Sequence, residues 1–306
     1  MKGKLKLTQR DLKLIDQSIV IKDHPATIEN ASFMLSIFCQ LAFPRSDCGE
    51  AYFLRECGKA RLALDAGMSV EGEKITLAKV PYGVVPRLIL NYIFSCAVRY
   101  KSPEVDFGNS AAELMRRLGL SPTGGKRGNY ANFKNQLAWL ADCNIEFDFH
   151  AHNKKISYCG KMFSDHDFPL SVFNKWSPKI ILENSFYEVL VGQKNAVPID
   201  MRAVSALKGS ALALDIYYML SERLHRVTAK PVTLYWKNLR AQFGSEYADS
   251  DSGKRSFKEN FLKALKKVKM VYPTADVDVI DGGVRIRKSP PPIPKKLKIT
   301  TVNDCE

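Results

Sequence analysis

One block of residues occurs twice in this chain, and the two copies lie 128 positions apart. Both copies open with Gly-Lys-Arg, at 125–127 and 253–255, and both continue as an amphipathic helical pattern. The apolar residues that recur at equal offsets are Phe133, Leu137 and Leu140 in the first copy and Phe261, Leu265 and Val268 in the second. Upstream, AELMRRLG at 112–119 matches KNLRAQFG at 237–244. A repeat of helix, turn and long helix predicts two related lobes.

The charge of the chain narrows its function. A formal net charge of +14 over 306 residues points to nucleic acid, an acidic membrane surface or an acidic partner protein. The basic helical stretches carry apolar faces that a core would use, so nucleic acid is favoured. No apolar run approaches the roughly 20 residues that cross a bilayer, and the start of the chain has no signal-peptide core. With seven dispersed cysteines and no C-x-x-C pair, we expect reduced thiols and a cytoplasmic protein.

The order of the predicted elements defines the fold class. Helix, strand, helix, helix and hairpin follow one another twice, with long helices at about 126–142 and at 254–271. The hairpin of the second lobe is signalled by Asp281-Gly282-Gly283. This order is typical of a winged helix. We therefore predict an α+β fold with two winged-helix domains in tandem, each a helix-turn-helix plus a β-hairpin, and an N-terminal extension.

Four segments follow from this interpretation. Residues 1–73 form an N-terminal arm and helical extension, in which 29–43 are predicted to be a buried helix. The first winged-helix domain and a connector occupy 74–199, with a role in dimerisation or accessory DNA contact. The second winged-helix domain occupies 200–291 and binds DNA. Residues 292–306 form a flexible basic tail.

The long helix of the second lobe separates apolar from basic residues. On a helical wheel, one face collects Phe257, Phe261, Ala264, Leu265 and Val268. Arg255, Glu259, Lys263 and Lys266 gather on the opposite face, with Lys254, Lys258, Lys267 and Lys269 on the flanks. An apolar side toward the domain and long donors outward is what a helix in the major groove needs. The alternative is a solvated amphipathic helix whose lysines only face water.

The charged residues on the long helix and the hairpin of the second lobe have two expected roles, base contact and phosphate contact. Arg255 is suited to bidentate contact with guanine, and Glu259 would accept from cytosine N4, while Lys263 and Lys266 complete the groove face. The residues expected to hold the phosphate backbone are Lys254, Lys258 and Lys267 on the helix and Arg285, Arg287 and Lys288 on the hairpin.

The first lobe is much less basic. Its candidate phosphate contacts are Arg116 and Arg117 on the shorter helix and Lys126, Arg127 and Lys134 on the longer one. Trp139 falls on the outward side of the longer helix without surrounding lysines, which favours a protein interface. The alternative is that Trp139 packs on the hairpin or the connector of its own chain.

A catalytic interpretation rests on two histidines. His150 and His152 alternate along a strand, as in metal-dependent enzymes that nick plasmid origins, and such enzymes also need a tyrosine nucleophile. Tyr158, Tyr217 and Tyr218 are the tyrosines considered for that role. The histidines fall at a hairpin tip, and the cysteines and histidines show no zinc spacing. We therefore expect no catalytic residue, no metal site and no cofactor.

Five stretches together carry a resemblance to a known family. They are VPYGVVPRLIL, YKSPEVDFGNSAAELMRRLGLSPTGGKRGNY, VPIDMRAVSALKGSALALDIYYMLSERLHR, PVTLYWKNLRAQFG and FKENFLKALKKVKMVYPTADVDV. In combination they resemble the plasmid-encoded RepA replication initiators of bacteria, from about Ile75 to Pro291.

The resemblance implies a specific role and specific partners. Such a protein binds repeated double-stranded sites in a plasmid origin, promotes duplex opening and recruits the host proteins DnaA and DnaB helicase. It implies a homodimer in equilibrium with a monomer, two winged-helix lobes and a location in the bacterial cytoplasm. A plain transcriptional repressor would have the same lobes without helicase recruitment, and the sequence leaves that alternative open.

Overall fold

The protein mixes helices and strands throughout, which confirms the α+β class. The computed structural model describes residues 8–71, 74–125, 127–151, 153–164 and 176–294. Its α-helices are α1 Gln9–Asp23, α2 Ser36–Gln40, α3 Val84–Tyr100, α4 Ala111–Arg117, α5 Tyr130–Asp142, α6 Asn184–Tyr187, α7 Met201–Leu207, α8 Ala211–Arg223, α9 Trp236–Phe243 and α10 Asp251–Val271. Its strands are β1 Ala31–Leu35, β2 Tyr52–Cys57, β3 Ala60–Asp65, β4 Met68–Glu71, β5 Lys74–Leu77, β6 Glu104–Asp106, β7 Asn144–Ala151, β8 Lys154–Lys161, β9 Lys179–Ile181, β10 Ala196–Asp200, β11 Val232–Tyr235, β12 Val277–Ile280 and β13 Gly283–Ile286. None of the helices within these ranges is long and apolar enough to span a bilayer.

The elements of the first lobe follow the predicted order, but its sheet contains more strands than the predicted hairpin. The hairpin β7–β8 extends an antiparallel sheet of order β2-β3-β7-β8, in which Leu62 lies opposite Phe147. Strand β6 pairs with β9 rather than with the hairpin. The sheet therefore crosses the boundary predicted at residue 73, and β2 and β3 are part of the first lobe rather than of a separate arm.

The segment predicted as a buried helix over 29–43 has a different structure, and that prediction was wrong. Residues 31–35 form strand β1, which pairs antiparallel with β10 so that Ala31 lies opposite Asp200. Only α2, at 36–40, is α-helical, and a single 3-10 turn at Ile28–Asn30 precedes β1. The apolar run is buried in either conformation, so its composition does not distinguish them. Strand β10, which is distant in the sequence, supplies the hydrogen-bond partners, and this pairing makes residues 31–35 a strand rather than a helix.

The second lobe has the element order predicted for it. α8, β11, α9, α10, β12 and β13 follow one another, and β13 lies between β11 and β12 in a three-stranded antiparallel sheet. Helix α10 begins at Asp251, three residues before the predicted start. The hydroxyl of Ser250 caps it by accepting a hydrogen bond from the Gly253 amide at 3.1 Å.

The two copies of the repeat share core positions but not helix starts. Phe133 and Phe261, Leu137 and Leu265, and Leu140 and Val268 are all buried. However, α5 begins at Tyr130 rather than near 126, because Thr123 and Asn129 tie the preceding loop together by side-chain hydrogen bonds. The first Gly-Lys-Arg thus precedes its helix, whereas the second lies inside α10.

A single hydrophobic core extends through both lobes. At its centre, Arg87 of α3 forms a bidentate ion pair with Asp215 of α8, at 2.6 and 2.8 Å, and both side chains are 3% exposed. Helix α1 packs against α7 and α10. The predicted N-terminal extension therefore packs against both lobes rather than standing apart from them.

Candidate nucleic-acid interface

Helix α10 has the two-sided distribution that its sequence predicts. Its five inward residues are at most 5% exposed, and they pack with Phe243 and the rings of Trp236 and Tyr247. The residues that face solvent include Lys254, Arg255, Lys258, Glu259, Lys263, Lys266, Lys267 and Lys269. The ridge of cations is therefore open on the surface of the protein, as a groove-binding helix requires.

Among the described residues, the side chains of Glu259, Lys263 and Lys266 in the middle of this exposed face form no hydrogen bond or ion pair. Lys269 differs, because its ammonium donates to the carbonyl of Val277 at 2.8 Å. Lysines without internal partners can exchange water for phosphate oxygens without breaking a protein contact.

Helix α1 borders one flank of α10. Hydrogen bonds with Thr8 lower the pKa of Asp11 from its usual range, and the nearby charge of Lys267 adds to this effect. Lys267 therefore lies beside the α1 N-terminus, on the side of α10 that the N-terminal segment approaches. The packing of α1 against α10 is a tertiary contact that the periodicity of α10 alone could not predict.

The other flank of α10 forms a cleft with α9. Lys254, Arg255 and Lys258 line it, so three of the predicted DNA contacts are exposed and also border a concave site. The remaining lining residues are Trp236, Lys237, Arg240, Asp249 and Phe257, and the cleft volume is about 590 Å³. The sequence analysis did not single out Trp236, Lys237 and Arg240 as candidate site residues, although a tryptophan followed by two cations at the start of a helix is a pattern that could have indicated them.

The hairpin β12–β13 offers fewer free cations than predicted. Arg285 and Lys288 are exposed. Arg287 instead contacts Asp278 at 2.6 Å and Asp276 at 2.8 Å, and these hydrogen bonds raise its pKa above its usual value. A phosphate would have to compete with two carboxylates for Arg287, which makes it a weaker candidate than Arg285.

The candidate cations of the first lobe are dispersed over α4, α5 and the loop between them. Arg116, Arg117 and Arg127 are all exposed, but hydrogen bonds to Tyr92, Asp106 and Glu113 engage Arg117 and raise its pKa. Lys134 is half-buried, with its ammonium 6.0 Å from the Tyr130 ring centroid. Lys126 lies outside the described residues.

Trp139 has an aromatic partner inside the chain. It is half-buried on α5, and its ring stacks on Tyr82 with centroids 6.0 Å apart. The alternative interpretation expected Trp139 to pack within its own chain, and this contact is of that kind. The partner, Tyr82, lies just before α3 rather than in the hairpin or the connector. The role of Trp139 in a protein interface stays a prediction.

The geometry around His150 does not assemble a nicking centre with the tyrosines considered. His150 is exposed on β7, and strand alternation places it on the face opposite Phe147 and Phe149. Tyr158 packs on Phe147, and burial raises its pKa to about 12. Tyr217 and Tyr218 are buried in α8. His152 lies outside the described residues, and those residues contain no cluster of three or more metal-ligating side chains.

The fold and this surface together define an α+β protein with one strongly cationic helix. Comparison with known families identifies it further: residues 80–237, just over half of the chain, match the family described as plasmid encoded RepA protein. The chain belongs to this family, and membership implies the role of a plasmid replication initiator. A search of curated proteins found no match. The match ends within α9, so α10 and its hairpin lie outside it.

Proposed function

We propose that the protein binds repeated double-stranded sites in a plasmid origin through the outward face of α10. The observation that carries the proposal is the exposure of Lys263, Lys266 and Arg255 on a helix whose opposite face is anchored in the core. Lysine contacts to phosphate supply salt-dependent affinity, and Arg255 and Glu259 supply base selection. The three-stranded sheet and the order of its elements support a winged-helix plan for this lobe.

In this proposal the protein acts without catalysis of its own. Several copies bind neighbouring repeats in the bacterial cytoplasm, and the contact energy deforms the DNA so that an adjacent AT-rich stretch opens. DnaA and DnaB helicase are the proposed host partners, and a monomer in equilibrium with a dimer is the proposed binding form. These steps rest on the family and not on the geometry of α10.

The proposal is tested by footprinting on the DNA that surrounds the gene encoding this chain. The double variant Lys263→Ala/Lys266→Ala is expected to lose protection and to reduce the salt slope of binding, log K against log [salt], by about two units. Lys22→Ala/Lys59→Ala removes the same charge from α1 and from the β2–β3 turn, and it should retain protection. Equal loss in both variants would mean that net charge, rather than the face of α10, binds DNA.

Two further assays separate the rival functions. A plasmid that is maintained only when this chain is supplied supports an initiator, and protection without maintenance supports a plain repressor. Supercoiled plasmid incubated with the protein and manganese tests nicking, since nicked circles that disappear in His150→Ala would contradict a role without catalysis.

A further inference from the structure

The cleft between α9 and α10 combines charge with an aromatic wall. Five of its eight lining residues are cations, namely Lys237, Arg240, Lys254, Arg255 and Lys258. Its only carboxylate, that of Asp249, is paired with Arg240 at 3.1 Å. A volume of about 590 Å³ lies within the range of about 300–1,000 Å³ typical of ligand pockets. The site is therefore suited to an anion that also has an apolar part.

Most hydrogen-bond donors of Arg240 are engaged inside the protein. Its terminal nitrogens bind Asp249 and the carbonyls of Tyr247 and Ala248. Its Nε is buried and has no hydrogen-bond partner within the described residues. A buried donor without a partner is costly, and a ligand oxygen or water in the cleft would relieve that cost.

The indole of Trp236 is held in a fixed orientation at this cleft. Its N–H donates to the carbonyl of Asp281 at 3.0 Å, and its ring meets Phe261 edge to face at 5.7 Å. The ammonium of Lys258 lies 5.2 Å from its ring centroid. A cation over this ring marks a position where a flat ligand can stack once the flexible lysine moves aside.

We propose that this cleft binds a nucleotide of single-stranded DNA, with the base on Trp236 and the adjoining phosphates on Lys237, Lys254 and Arg255. An aromatic platform among cations is how proteins hold unpaired strands without sequence preference. A base in a duplex is already stacked on its neighbours and does not present its face, so the cleft discriminates between the two forms of DNA. An acidic peptide would satisfy the charges but would leave the ring face without a stacking partner.

This activity goes beyond duplex recognition and does not depend on it. Lys263 and Lys266 lie on the open face of α10, outside the cleft. Lys254, Arg255 and Lys258 line the cleft and are also among the expected duplex contacts, so the two surfaces meet at these residues. Lys263 and Lys266 belong only to the duplex face, and Trp236 belongs only to the cleft. A strand that becomes unpaired near a bound repeat would be retained by the cleft, which would oppose its re-annealing.

The test compares labelled oligothymidylate with an abasic strand of equal length, so that the phosphate charge is the same. The protein is expected to bind oligothymidylate about tenfold more tightly, because only that strand can stack. Trp236→Leu should abolish this difference and leave duplex binding unchanged, whereas Trp176→Phe should alter neither. Equal affinity for both strands in the unaltered protein would overturn the proposal, and so would an equally tight oligoglutamate.

A second measurement remains informative if Trp236→Leu does not fold. The chain has three tryptophans, so the variant Trp139→Phe/Trp176→Phe leaves Trp236 as the only indole. Oligothymidylate should quench its fluorescence, and the abasic strand should not. Unchanged emission at saturating oligothymidylate would contradict stacking on Trp236 while leaving the duplex proposal intact.

Discussion

At the scale of single residues, Gly253 shows how a tertiary contact reverses a local preference. Alanine is normally favoured over glycine inside a helix by about 1 kcal/mol. A Cβ at Gly253, in the first turn of α10, would lie 2.1 Å from the carbonyl oxygen of Ala248. The chain enters α10 so closely that only glycine fits without a shift of the backbone.

We therefore expect Gly253→Ala to lower the free energy of unfolding by about 1–3 kcal/mol despite its better helix propensity. Urea denaturation provides the measurement. The matched control is Gly209→Ala, where an added Cβ meets no atom within 4 Å, and its effect should stay within about 0.5 kcal/mol. A stabilised Gly253→Ala variant would show that the entry loop is not held against α10.

Arg255 is the residue on which base selection is expected to depend. Its guanidinium is exposed, with one weak contact to the carbonyl of Asp251 at 3.3 Å. Arg255→Ala should relax the preference for guanine at one position of the site, at a cost of about 1–3 kcal/mol. Binding to a panel of single-base variants of the site measures this effect. A uniform loss across the panel would assign Arg255 to a phosphate.

At the scale of elements, the turn between α9 and α10 is anchored by the N-terminal segment. Arg55 of β2, 2% exposed, donates to Ser245 at 2.9 Å and to Glu246 at 2.8 Å. Arg45 also contacts Glu246 and lies over the ring of Tyr247. The hydroxyl of Tyr247 in turn accepts a hydrogen bond from Asn260 of α10. The angle between the two helices therefore depends on Arg45 and on Arg55 of the first-lobe sheet, which are about 190 to 200 positions away in the sequence.

This anchor predicts a pH dependence of stability. Burial would raise the pKa of Glu246, but Arg55 and Arg45 outweigh burial, so the pKa is lower than usual. The stabilisation is present above the unfolded-state pKa of about 4.3 and is lost as pH falls through the lowered folded-state pKa. Glu246→Gln should thus be less stable than the unaltered protein at pH 7. We expect the difference to shrink below about pH 4 in urea denaturation.

The matched control for this experiment is Glu188→Gln. Glu188 begins the turn of helix that follows α6 and forms no ion pair within the described residues, so its variant should show no such convergence. A Glu246→Gln variant with unchanged stability at pH 7 would mean that the ion pair does not secure the turn.

Elements also show where sequence reasoning ends. The periodicity of α10 predicts its buried and exposed faces, because a helical wheel depends only on the order of residues. The start of α5 and the strand β1 could not be predicted in this way. Side-chain hydrogen bonds between Thr123 and Asn129 delay the start of the helix, and a partner strand at residues 196–200 makes residues 31–35 a strand.

At the scale of the whole molecule, the Arg87–Asp215 pair joins α3 of the first lobe to α8 of the second. Arg87 also donates to the carbonyls of Phe43 and Pro44, so the N-terminal segment shares this junction. A buried charge without its partner is expensive, whereas an apolar pair of similar volume often is not. The junction therefore provides a test of whether the lobes unfold as one unit.

Asp215→Ala is expected to cost about 3–5 kcal/mol, because it leaves the Arg87 guanidinium buried without its carboxylate. The double variant Arg87→Met/Asp215→Leu should recover most of that loss. Calorimetry measures both, and a single transition is expected in the unaltered protein. Two separate transitions in the unaltered protein would show that the lobes are not coupled through this pair. A small loss of stability in Asp215→Ala would show the same.

The sequence by itself determined the repeated core positions, the α+β class and the polarity of α10, since each depends on residues close together in the chain. It also carried the resemblance to the RepA family through stretches of local sequence. Only the tertiary structure decided that β2 and β3 extend the sheet of the first lobe. It also decided that the cations of α10 divide between an open face and a cleft with Trp236. Both depend on contacts between distant segments, whose energies no local pattern encodes.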